Sequence, residues 1–314
     1  MIAQSLRTLL TGVIDYAGLF PPAKLPMNQA VANYLRYRAE PDAWMLGNFV
    51  CPAARLGELS AFSKQIAASA QPIQISALGR GGASGGEFMA GLDADRADID
   101  VCREKHGGKV VMAVLETKLP VELLSYEHRL RDLLAAVAEA TVISRMALFL
   151  EAPPDDVDRL DGLLSAIQET PFAALAGYKL RMGGLEASAF PSCSRVALAL
   201  AQCLRAGVPM KATAGLHHPL PRFDADLQIR MHGFINLFLA GVLGQVHPLS
   251  PTTLQEILEE EDPGQFSFTD DHLGWRDLKA TTEQVAQAGR TSLLSFGCCS
   301  FDEPRDDLRA LGWL

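Results

Sequence analysis

Two runs, GYKLRMGG at 177–184 and MKATAGLHHP at 210–219, hold the side chains best suited to covalent chemistry. Side chains alternate between faces in extended backbone, so Lys179 and Arg181 share one face, as do Lys211 and Thr213. A second cation nearby and partial loss of water both lower an amine's pKa, which makes it a nucleophile toward a carbonyl carbon. Asp15, Glu116 and Glu151 supply carboxylates for proton transfer. Arg80 with Gly81 and Gly82, and Arg181 with Gly183 and Gly184, combine a cation with exposed backbone N–H groups that suit an anion. A plainer role for the cations is to neutralise Glu116 and Glu151 in a polar interior. His217 and His218 are adjacent, and only a loop would let both reach one metal ion; with Asp15, Glu116 and Glu151 they form an alternative set of ligands for a divalent cation.

Such positions matter only if strands bring them together. Short apolar or β-branched runs alternate with longer stretches whose apolar residues recur three or four apart, the signature of βα units and a mainly parallel sheet. Strands are predicted at 12–15, 44–50, 72–78, 109–115, 146–150, 174–180 and 209–214, and helices at 27–38, 53–68, 88–105, 121–138, 157–168 and 193–205. The eighth strand is assigned to 292–300, with 265–269 as the alternative. Eight strands and eight helices close a (β/α)8 barrel, whose working face lies at the carboxyl ends of the strands. The candidates above fall at those ends. Residues 1–10 are expected to form a helix covering the barrel bottom. An apolar helix at 226–243 offers a surface for self-association into a homo-oligomer. No linker or low-complexity tract divides the chain, so 1–314 is read as a single barrel domain with 219–290 partly insertion.

The remaining signals are structural. RGGASGG at 80–86 reads as a turn or a lid, Asp270-Asp271-His272 as a capped turn, and Cys298-Cys299 as buried small side chains. Ser295 and Ser300 lack the G-x-S-x-G elbow of a serine hydrolase. With 28 Lys plus Arg against 37 Asp plus Glu, the net charge of -9 disfavours nucleic acid as a partner. The longest apolar stretch, 234–243, falls short of the roughly 20 residues of a membrane span, and no secretory signal opens the chain. Six cysteines without C-x-x-C spacing read as reduced thiols of a cytoplasmic protein.

Residues 179–183 fit the pattern K-x-x-x-G, and 211–215 fit K-x-x-G-G except that Ala214 replaces a glycine. In these motifs the chain resembles the deoxyribose-phosphate aldolase family of class I aldolases. The resemblance implies that Lys179 is a Schiff-base amine and Lys211 the neighbour that lowers its pKa. The chain departs from the family at Arg181, where the aldolases have a small hydroxyl residue, and at the end of the fourth strand, where Glu116 stands in place of an Asp. DYAGLFPPA at 15–23 and KATAGLHHP at 211–219 also resemble signatures of an uncharacterised bacterial protein family, which implies a self-contained domain and nothing about chemistry.

The leading expectation is thus an aldolase or lyase acting on a small anionic carbonyl compound without a cofactor. Lys179, Lys211, Glu116 and Glu151 would be catalytic, and Asp15, Arg80, Arg181, Gly183, Gly184, Thr213 and His217 would hold the substrate. The first alternative is a metal-dependent lyase or isomerase using Asp15, Glu116, Glu151, His217 and His218. The second is a non-catalytic barrel for a small ligand or protein partner, favoured if the lysines and glutamates prove locked in mutual ion pairs with no open pocket.

Overall fold

The computed structural model describes residues 2–141, 146–152, 159–170, 173 and 176–314. In chain order the first two thirds run α1 (Gln4–Leu10), β1 (Ile14–Tyr16), α2 (Met27–Tyr37), β2 (Leu46–Pro52), α3 (Ser63–Ala68), β3 (Ile73–Leu78), α4 (Gly85–His106), β4 (Val110–Lys118), α5 (Glu127–Thr141), β5 (Ala147–Glu151), α6 (Leu160–Gln168), β6 (Ala176–Arg181), α7 (Cys193–Ala206) and β7 (Met210–Thr213). Then follow β8 (Arg222–Asp224), β9 (Ile229–Met231), α8 (Phe234–Val246), α9 (Pro251–Glu259), β10 (Phe266–Phe268), β11 (His272–Trp275), β12 (Leu278–Thr281), α10 (Thr282–Thr291), β13 (Leu293–Cys298) and α11 (Asp302–Ala310).

Eight of these strands form a closed barrel in the order β1, β13, β7, β6, β5, β4, β3, β2, and every pairing is parallel. The fold is therefore a (β/α)8 barrel, with β13 as its eighth strand. The alternative eighth strand, 265–269, falls instead on β10 (Phe266–Phe268) of the antiparallel sheet β10-β11-β12. Alternation along the strands sets the two sides of the wall. Outward residues are apolar or aromatic and pack on the helices: Tyr16 and Phe49 lie against Tyr34 of α2, and Phe296 stacks on Phe234 of α8 with ring centroids 5.1 Å apart. The inward residues at the carboxyl half of the barrel include the buried polar side chains Asp15, Ser76, Glu116, Glu151, Lys179, Lys211 and Ser295.

The segment after β7 differs from its sequence reading. Residues 222–231 form the hairpin β8–β9, and the helix begins only at Phe234. Phe234 to Leu243 are all buried, because Phe296 covers one side of α8 while α9, α10 and the three-stranded sheet cover the other. The expected self-association surface is therefore interior. Residues 53–62 form a 3-10 helix, with α-helix confined to 63–68. α1 packs on α10 and the three-stranded sheet, where Asp270 accepts the backbone N–H of Gln4 at 2.9 Å. Asp270 is thus a structural turn residue. Residues 157–158 and 174–175, assigned above to a helix and a strand, lie outside the described residues. Among the described residues, no helix is long and apolar enough to cross a membrane.

Candidate active site

Five charged side chains from five strands meet inside the barrel. Lys179 of β6 places Nζ 2.8 Å from Glu116 Oε2 of β4 and 2.9 Å from Glu151 Oε2 of β5. Lys211 of β7 places Nζ 2.5 Å from Glu116 Oε1 and 2.6 Å from Asp15 Oδ2 of β1. Glu151, Lys179 and Lys211 are direct cross-strand partners, which fixes them at one height in the wall. The result is a chain of alternating charge, Glu151–Lys179–Glu116–Lys211–Asp15, with Glu116 shared between the two ammonium groups.

Two serines complete it. Ser76 of β3 donates to Glu116 Oε1 at 2.5 Å and accepts from Lys211 Nζ at 3.3 Å. Ser295 of β13 donates to Asp15 Oδ2 at 2.8 Å, while the backbone N–H of Asn48 donates to Oδ1 at 2.5 Å. All three donors of Lys211 are therefore satisfied. Lys179 has three donors and two partners among the described residues, so one N–H remains unassigned.

Burial alone would push the Glu116 carboxyl up, but Lys179 and Lys211 outweigh it and hold the group well below the ordinary carboxylate range. Burial would likewise lower both lysines; Glu116 and Glu151 reverse this for Lys179, and Asp15 and Glu116 reverse it for Lys211, so both are raised. This corrects the expectation that Lys211 lowers the pKa of Lys179. A carboxylate stands between the two amines, so attraction exceeds their mutual repulsion. Buried ion networks of this kind are poor stabilisers, since well-packed apolar residues often do as well or better. Their concentration at the working end of the barrel marks a candidate functional site.

Five of the expected site residues thus come together. Arg181 follows Lys179 on the same face, further toward the mouth, and is exposed with no acidic partner among the described residues. Thr213 pairs with Arg181 across β6 and β7. Arg80 is turned away from the charge chain, pairing with Asp95 and with Asp98 of α4 at 2.6 Å. The glycine-rich turn beside it leads into α4, which Ser84 caps by accepting the Glu87 N–H at 3.3 Å. Gly183 packs against Gly215, where φ is +69°; a Cβ on Gly183 would stand 2.8 Å from the Gly215 Cα. Close approach of two loops accounts for this glycine. Gly184 adjoins Ala189 in the same loop.

His217 and His218 are not brought to the carboxylates. Their Nδ1 atoms meet Glu303 at 2.9 Å and Asp307 at 2.5 Å, both on α11. The hydrogen bond from His217 helps hold the Glu303 carboxyl below its usual range. The positions between Asp15, Glu116 and Glu151 are taken by lysine nitrogens, and no three His, Cys, Asp or Glu side chains among the described residues are arranged to hold a metal ion. The five-residue ligand set is therefore not formed. Cys298 lies 3.9 Å from His217 Nδ1, but burial drives its thiol well above the ordinary range, which disfavours the reactive thiolate.

The chain matches no family model and no curated protein. Among solved structures it is similar to a deoxyribose phosphate aldolase from Aeropyrum pernix, described as a unique tetramer. The TM-score is 0.47 and the identity 12%, covering 69% of this chain and 86% of that one. The fold assignment rests on the closed eight-stranded parallel sheet itself.

Proposed function

We propose that this protein is a lyase of class I aldolase type, in which Lys179 forms a Schiff base with a small anionic carbonyl compound. The donor count carries the reading: Lys211 is saturated by Asp15, Glu116 and Ser76, whereas Lys179 keeps one N–H unassigned beside two carboxylates. Lys211 is then a fixed cation that holds Glu116 in place, and Lys179 is the amine free to react. A carboxylate beside Lys179 removes its proton once a carbonyl compound enters, and the neutral amine attacks the carbonyl carbon. Loss of water leaves a protonated imine; as a neighbouring carboxylate takes the proton of the substrate's β-hydroxyl, the pair of the bond between the α and β carbons moves toward the imine, that bond breaks, and the β fragment departs as a carbonyl compound while an enamine stays on Lys179. Arg181, with no acidic partner among the described residues and nearer the mouth, would meet the substrate's anionic group with Gly183, Gly184, Thr213 and His217 around it.

The test is borohydride reduction with a panel of small aldehydes and keto acids, followed by mass spectrometry. A stable adduct is expected on Lys179 and none in Lys179→Met. One observation favours a second reading, a barrel that binds without catalysis: both lysines are closed into ion pairs with two carboxylates each. If no carbonyl compound traps, that reading replaces the first.

A further inference from the structure

We propose that Ser76 is a positioning residue that reserves Glu116 as a fixed anion and thereby assigns to Glu151 the proton leaving Lys179. This inference rests on the Schiff-base reading above. It follows from how the carboxylate oxygens are used. Glu116 Oε1 accepts from Ser76 Oγ and from Lys211 Nζ, both at 2.5 Å, while Oε2 accepts from Lys179 at 2.8 Å. Ser76 is fully buried and also takes the third N–H of Lys211 at 3.3 Å, so its hydroxyl proton is committed to Glu116. A carboxylate with three donors, two of them cationic, is a poor base.

Glu151 is placed differently. Its Oε2 meets only Lys179, at 2.9 Å, and its Oε1 has no partner among the described residues. Its side chain is 12% exposed, against 2% for Glu116. Protonating Glu151 breaks one ion pair next to water, whereas protonating Glu116 would break two inside the barrel. The step balances without a further reagent. Lys179 gives one proton to Glu151, leaving amine and acid. The amine's lone pair forms the C–N bond as the carbonyl π pair moves to oxygen, which takes the Glu151 proton. The nitrogen then returns a proton to Glu151, which protonates the departing hydroxyl as water. The charge of the ammonium ends on the imine nitrogen.

Borohydride trapping with glycolaldehyde and with pyruvate, read as the rate of adduct formation on Lys179 across a pH series, tests this. Glu151→Gln is expected to slow trapping about a hundredfold or more near neutral pH, the usual scale of a lost proton-transfer group, without changing the unfolding midpoint much. Adding Ser76→Ala to Glu151→Gln should restore the rate several-fold, because Glu116 loses a donor and becomes a better base. Ser76→Thr, which keeps the hydroxyl, should not restore it. Trapping at the wild-type rate in Glu151→Gln, or no recovery with Ser76→Ala, would overturn the inference while leaving the wild-type adduct, and so the Schiff-base reading, intact. Absence of an adduct on the wild type would remove both.

Discussion

Lys211 touches three acceptors and is 1% exposed, so what it holds together is best seen by what its loss would strand. In Lys211→Met, among the described residues Asp15 keeps Ser295 and the Asn48 N–H, and Glu116 keeps Lys179 and Ser76. One buried carboxylate is left without a cation, which typically costs about 3–5 kcal/mol. Lys179→Met should cost less, because Glu116 retains Lys211 and Glu151 stands at the wet edge of the chain. Urea titrations of the two variants would check the order; a larger loss for Lys179→Met would mean that the charges are partnered otherwise. At this scale the sequence was half legible. Period-two spacing placed Lys179 and Lys211 on inward faces, but the sign of their pKa shifts depends on Glu116 lying between them, a relation spanning three strands that spacing along one cannot express. Ser76 carried no signal, since a serine in a strand reads the same inside a barrel as outside it.

At the scale of elements, α8 shows how context overrides pattern. A helix apolar all round is an interior helix, and this one is sealed by Phe296 on one side and by α9, α10 and the small sheet on the other. Asn236, in its first turn, fastens it by donating to the backbone carbonyls of Ile257 at 2.8 Å and Glu260 at 2.7 Å. Leu237→Ala, at a side chain with no exposure, is expected to cost about 2–5 kcal/mol by leaving a cavity, measurable by chemical denaturation. A loss under about 1 kcal/mol would show that the covering elements close over the gap or do not cover it. The periodicity of the first six βα units is readable because each helix buries one stripe against the sheet. After β7 the rhythm failed, because the covering layer includes strands and residues 222–231 form a hairpin whose mixed polar and apolar residues mimic the start of a helix.

For the whole molecule, the charge chain links stability to pH at both ends of the scale. Glu116 is depressed in the folded state, so its contribution is complete above the ordinary glutamate pKa of about 4.3 and is lost as pH falls toward the folded value. Lys179 and Lys211 are raised, so theirs is complete below about 10.4 and is lost as pH rises through the folded values. A stability plateau between those limits is expected, with an acid arm that is shallower in Glu116→Gln than in the wild type. Equal acid arms in the two proteins would place the acid sensitivity elsewhere.

The saturation of Lys211 also has a kinetic meaning. An ammonium proton reaches solvent only by leaving its acceptor, and here each of the three acceptors is itself anchored to a different barrel strand. Their exchange with deuterium is therefore gated by separation of the strands rather than by motion of one side chain. The slowest protons in the molecule need not be backbone amides; those of the lysine at its centre report how often the barrel comes apart.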